Sequence, residues 1–245
     1  LHAIINSPTP LATNIEGDKI IPLYSLIPWN NSVFTIDANS LVTGISWNKF
    51  VDYTFLESYN SLLSFGIAFV DRVGNVFAFK SDFTNFQGKD TPISGVNSYS
   101  NYISSFSNNI VITLTGQSSF YRFPIDNWAS PWTTVNLPAG YDRPHHPISF
   151  NGNLYMAAMK SGTIQSILRY DSSFSFVGSL DIKAEFFGTL ASPLKISKIF
   201  NINNQYIGIV LKEVDTYYLL LWDGDIFSGV NVKIEIPGRL VDIVN

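Results

Sequence analysis

Residues with chemical potential are few in this sequence, and the most concentrated group is Tyr141-Asp142-Arg143-Pro144-His145-His146-Pro147. Two histidines beside an aspartate raise the question of a metal site. Zinc, however, needs three or four converging ligands. Adjacent residues of a strand point to opposite faces, so the pair is not expected to share one ion, and His2 is remote in sequence. The segment reads as a proline-bracketed loop whose polar side chains contact a partner.

Acid–base work needs paired carboxylates, and the candidates are Asp52, Glu57, Asp71, Glu213 and Asp215. Asp71 in "AFVDRVGN" and Asp215 in "LKEVDTYY" fall at matching points between apolar runs, which marks them as solvated hairpin-turn residues. "DGD" at Asp223–Asp225 opens like a calcium loop, but Ser228 and Ile234 stand where that loop needs glycine and glutamate. It too reads as a turn.

Aromatics are the richest functional feature: 19 Phe, 12 Tyr and 5 Trp. Trp29, Trp128 and Trp132 lie beside Pro and Asn in loop-like segments, where an indole can stack on a sugar or anchor a protein interface. The segment Phe123–Pro147 is the longest polar-aromatic stretch. It supplies the candidate binding residues Trp128, Trp132, Tyr141, Asp142, Arg143, His145 and His146; no catalytic or metal-binding residue and no cofactor is assigned.

Composition bounds the partners. Of the 245 residues, 46% are apolar and only 14% charged, and the net charge is −4. No Lys/Arg cluster offers the concentrated positive charge that nucleic acid requires. No apolar run approaches the roughly 20 residues of a membrane helix; the longest, around Tyr217–Trp222, has strand length. The absence of cysteine excludes disulfides, thiolate zinc sites and Cys nucleophiles. Leu1 in place of Met is expected of a processed or trimmed product. Abundant Asn, Ser, Phe and Tyr with sparse Lys, Glu and Ala fit an exposed surface protein, extracellular or on a virion.

The elements that must position these residues are short strands. Runs of 4–8 residues rich in Ile, Val, Phe, Tyr and Thr alternate with Asn, Gly, Ser and Pro. Asp181–Leu190 is the best helical candidate. The runs repeat: aromatic or apolar anchors at Ile36, Phe79, Phe123, Tyr170 and Trp222 recur every 43 to 52 residues. Short apolar strands run into Asn31, Asn60, Asn109, Asn153 and Asn204, and Asn tolerates the positive φ of tight hairpins. "ISFNGNLYMAAMKSGTIQSILRYD" (Ile148–Asp171) is the fullest copy of a four-stranded meander.

A four-stranded meander cannot bury both faces alone, so copies must pack on one another, and radial repetition is the closed solution. The chain resembles β-propeller blades in general, loosely of the kelch-like or lectin-like kind, over about Ile20–Ile236. The reading is an all-β, single-domain β-propeller, 1–245. Its five blades are expected at about 20–50, 51–95, 96–142, 143–192 and 193–237, with 238–245 closing the first, short copy by terminal strand exchange. A six-bladed or partial propeller and a β-sandwich are the alternatives.

The function expected is a non-catalytic binding or structural module on a virion, tail or cell surface, mediating protein–protein or glycan attachment within a larger assembly. The resemblance also implies an alternative, because glycoside hydrolases occur on five-bladed propellers: a carbohydrate-active enzyme with two or three carboxylates at a central channel.

Overall fold

The structure is a computed structural model that describes residues 33–34, 45–46, 50–56, 66–80, 87–182, 195–213, 216–226 and 232–236. Expectations placed on Trp29, Ile36, Glu57, Asn60, residues 183–190, Asp215 and the closing segment 238–245 lie outside them, as do the side chains of Phe79 and Glu213. Among the described residues every sheet is antiparallel. A two-stranded ladder joins β1 (Val33–Phe34) to β2 (Ile45–Ser46). Four four-stranded meanders follow. The first comprises β3 (Phe50–Leu56), β4 (Gly66–Asp71), β5 (Val76–Lys80) and β6 (Gln87–Lys89). The second comprises β7 (Tyr102–Phe106), β8 (Asn109–Thr113), β9 (Ser119–Pro124) and β10 (Thr133–Asn136). The third runs β11 (Tyr141–Phe150), β12 (Asn153–Lys160), β13 (Ile164–Tyr170) and β14 (Phe176–Asp181). The fourth runs β15 (Lys195–Ile202), β16 (Tyr206–Glu213), β17 (Thr216–Trp222) and β18 (Val232–Ile236). Each is a blade of the expected type, with strands in sequence order. Among the described residues no helix is long and apolar enough to cross a membrane.

The chain divides into two compact units: 1–103 with 124–131, and 104–123 with 132–245. In the first, β4 is buried along its whole length, as its run "GIAFVD" requires of a strand covered on both faces. The turn after it is built by Asp71, whose Oδ1 accepts the N–H groups of Val73 and Asn75 at 3.0 and 2.8 Å while Gly74 takes φ 89°. Sequence placed Asp71 correctly in a hairpin turn, but not in solvent: it is buried, and burial raises its pKa above the carboxylate norm. The carboxylate stays inside because the turn's own amide donors replace water.

In the second unit, β12 alternates between two cores. Leu154, Met156 and Ala158 join Phe106, Val111, Phe120, Leu168, Tyr170 and Phe174 on one side. Tyr155 and Ala157 join Phe150, Ile167, Ile199, Ile207, Ile209 and Trp222 on the other. The third sheet is thus the shared wall of both cores. Edge-to-face rings fill the seams, Phe120 with Tyr170 at 5.1 Å and Tyr155 with Trp222 at 5.6 Å, a geometry that adds to simple burial. The anchors Phe123, Tyr170 and Trp222 are buried as the repeat predicted.

The turns follow the residue types. Asn151-Gly152 connects β11 to β12 with φ 46° and 70°, and Asn203-Asn204 connects β15 to β16 with φ 50° and 54°. These are the positive φ pairs of tight hairpins. Asp171 repeats the Asp71 turn, accepting from Ser173 and Ser175 at 2.9 Å each. Its left-handed position holds Phe174 at φ 64°. A bulky residue there is strained, and the ring is kept by packing on Phe106 and beneath the Arg122 guanidinium. "DGD" is a turn as well: Asp225 N donates to Asp223 Oδ1, Tyr155 OH donates to Gly224 O, and Trp222 Nε1 donates to Asp225 O.

Two core tyrosines make opposite predictions. The Tyr155 hydroxyl donates to Gly224 O at 2.8 Å in a buried setting, whereas the buried Tyr170 hydroxyl has no hydrogen-bond partner among the described residues. Tyr155→Phe should cost about 1–2 kcal/mol by stranding a carbonyl, and Tyr170→Phe should be neutral or slightly stabilising. Denaturant unfolding checks both, and equal losses would contradict the assignment.

Candidate functional site

Prolines 144 and 147 suggested a loop, yet Tyr141–Phe150 is the first strand of the third sheet. The reason is its two bulges. The register with β12 pairs Asp142 with Met159, His145 with Ala157 and Ile148 with Tyr155, which sets Arg143-Pro144 against the single Ala158 and His146-Pro147 against the single Met156, one extra residue in each bulge. Proline gives no N–H to a ladder and is tolerated at bulges. Both prolines are buried, while the residue before each, Arg143 at φ 52° and His146 at φ 50°, turns into the left-handed region.

This bulging overturns the expected separation of the histidines. Instead of facing opposite ways, their rings lie 5.4 Å apart at 61°. The ring of His145 hydrogen-bonds through Nδ1 to Arg143 O at 2.9 Å. Burial holds its pKa below the usual value, opposed by that bond. Burial pushes His146 down to about 3, helped by the neighbouring His145 and by Lys198, and opposed by a backbone hydrogen bond with Ser197. Both imidazoles are therefore neutral at pH 7. Among the described residues no group of three His, Cys, Asp or Glu side chains could hold a metal ion.

The remaining candidates scatter. Arg143 is exposed, with Nε 4.0 Å from Asp142 Oδ2. Tyr141 is half-buried; its hydroxyl lies 2.7 Å from Ser179 Oγ, and Lys160 Nζ approaches its ring while bonding Asp181 at 3.0 Å. Trp132 is half-buried, edge-on to Phe123 at 4.7 Å. Trp128 is buried in the first unit, where its carbonyl accepts from Lys89 Nζ at 3.0 Å. The structure thus brings Asp142, Arg143, His145 and His146 together.

Sequence reasoning missed Ser197 and Lys198 of β15, which flank His146. The signal was present: aligning "HPISFNGN" with "SKIFNINN" at their final Asn sets His146 against Ser197 and Pro147 against Lys198. Of the carboxylates, Asp52 Oδ2 accepts the Ile103 N–H at 2.9 Å, and Asp71 is committed to its turn.

No protein-family model and no curated protein matches the chain. Among solved structures it is similar to an auxiliary nutrient-binding protein of Bacteroides thetaiotaomicron, with a TM-score of 0.51 and 14% identity over 78% of this chain and 42% of that one. It is also similar to BBS1N in complex with ARL6DN, with a TM-score of 0.45, 10% identity and coverage of 84% and 56%. A third is YCF48 bound to D1 peptide, at 0.41, 11% identity and coverage of 65% and 48%. The chain spans about half the length of these structures. The likeness is one of fold, an all-β β-propeller, four of whose blades lie among the described residues.

The depressed His146 pKa has a consequence for stability. In the unfolded chain the imidazole takes up a proton near 6.5, and in the folded chain only near 3. The unfolded state binds more protons across that window, so the contribution is complete above pH 6.5 and lost as pH falls toward 3. His146→Asn, which keeps a residue tolerant of positive φ, should show a shallower fall in unfolding midpoint between pH 7 and 4 than the wild type. Parallel profiles would contradict the shift.

Proposed function

We propose that the chain is a non-catalytic binding or structural module on an exposed surface, a virion, tail or cell-surface component that attaches to a protein or a glycan. The observation that carries this reading is the use made of the carboxylates. A retaining or inverting hydrolase needs two carboxyl groups about 5–10 Å apart, free to exchange protons and meet a sugar. Asp52 and Asp71 instead serve backbone amides, one at Ile103 and one in its own turn. Meanwhile β11 offers an exposed Arg143, and half-buried Tyr141, Asp142, His145 and His146, on a doubly bulged strand. Bulges of this kind re-aim side chains at recognition sites.

In this reading 1–245 forms one five-bladed ring, with the β1–β2 ladder as part of the first copy and 238–245 completing it. An experimental structure in which that segment pairs elsewhere would overturn the closure. For the alternative, a carbohydrate-active enzyme, Glu57, Glu213 and Asp215 remain of the acid and base candidates read from the sequence.

The two readings separate in one experiment. A photo-crosslinking amino acid is placed at Arg143 or at Trp132 in the protein within its native assembly, and the same preparation is assayed against aryl glycosides. A defined adduct from Arg143, with no glycoside turnover above buffer, is expected. Turnover abolished by Glu213→Gln, with no adduct from either position, would overturn the binding role.

A further inference from the structure

The third and fourth sheets set their first strands side by side. Asn201 Nδ2 donates to Ser149 O at 2.9 Å, and the His146 ring hydrogen-bonds the backbone of Ser197. Position 146 is therefore level with 197 and 149 with 201, so β11 and β15 run in the same direction. Both are bulged at that level, β15 between Ile196 and Lys198. The two bulged strands carry nitrogen-bearing side chains along one stretch: Arg143, His145 and His146 on β11, Lys195 and Lys198 on β15. Arg143, Lys195 and Ser197 are exposed, and the two imidazoles and Lys198 half-buried.

Among the described residues the charge balance of this stretch is one-sided. The permanently charged group that acts on His146 is the cationic Lys198, and the neutral imidazole of His145 beside it brings no negative charge. Strand β8, packed against β11, brings only Asn109, Ile110, Val111, Ile112 and Thr113, none of them titratable. Strand β12 brings Lys160, whose ammonium is held by Asp181 at 3.0 Å. Asp142, 4.0 Å from the Arg143 guanidinium, is the acidic residue of β11. Three permanent cations and two imidazoles thus share the surface with one carboxylate of their own strand, in a protein whose net charge is −4. An extended polyanion such as a nucleic acid or a sulfated glycan meets that overall charge along its length and needs a longer positive stripe. One or two carboxylates on a peptide match the patch in extent and in hydrogen-bond donors.

We propose that the paired first strands β11 and β15 form a binding surface for an acidic peptide segment of a partner protein, with carboxylates seated among Arg143, Lys195 and Lys198 and against the imidazoles of His145 and His146. This deepens the binding role proposed above and rests on it.

Fluorescence anisotropy with labelled hexaglutamate tests it, using the full chain at about 50 mM salt, where such contacts are weakly screened. Hexaglutamate should bind and hexaglutamine should not. The Lys195→Gln/Lys198→Gln double variant should lose at least tenfold in affinity with an unchanged melting temperature, and Arg72→Gln, a charge removed from the other unit, should change it less than twofold. Equal binding of hexaglutamine, an unaltered double variant, or tighter binding of an oligonucleotide of equal charge would overturn the proposal. If hexaglutamate fails while the Arg143 crosslink still forms, the acidic-segment assignment falls and the binding module stands. If both fail, the binding role falls with it.

Discussion

Strand β12 is buried on both faces, and the arrangement of the second unit depends on that. Its five central residues, Leu154 to Ala158, are buried and divide alternately between two hydrophobic cores. Each large side chain so placed contributes about 1.5–3 kcal/mol of transfer free energy. A one-residue slip would exchange the two sets, putting Tyr155 where Met156 packs, so the register is fixed from both sides at once. The neighbours follow the same rule: β8 is buried throughout, and β16 is buried from Ile207 to Leu211.

With β12 locked, β11 is free to depart from regularity. A strand that had to supply its own register could not tolerate two bulges within six residues. Here the ladder resumes each time, at His145 against Ala157 and at Ile148 against Tyr155, because the partner cannot move. The buried Pro144 and Pro147 anchor the bulges; of the residues before them, Arg143 is exposed and His146 is turned against the Ser197 backbone of β15. Packing in the interior thereby sets the position of the polar groups on the surface, in the way second-layer support holds a recognition site.

Much of this was legible in the sequence. The strand runs, the Asn-rich hairpins and the aromatic anchors each carry a local signal that tertiary packing reinforces, so Asn151-Gly152, Tyr170 and Trp222 stand where the repeat put them. Two features were not legible. Proline at 144 and 147 signals a break in any ladder, and only the paired strand shows that the break is a bulge, which brings the histidine rings together. The burial of Asp71 also escaped, because its amide partners Val73 and Asn75 are supplied by the turn geometry rather than by any charged neighbour. Phe174 belongs with them: a bulky residue at positive φ runs against propensity and is explained by the ring's neighbours, Phe106 and Arg122.

The doubly covered β12 is the rigid element on which the bulged β11 rests. Native-state hydrogen exchange measures it directly. The amides of Leu154 to Ala158 should exchange only through global unfolding, while those of the outer strands β10 and β14 open locally at lower free energy. Exchange of the β12 amides at the rate of β14 would contradict it.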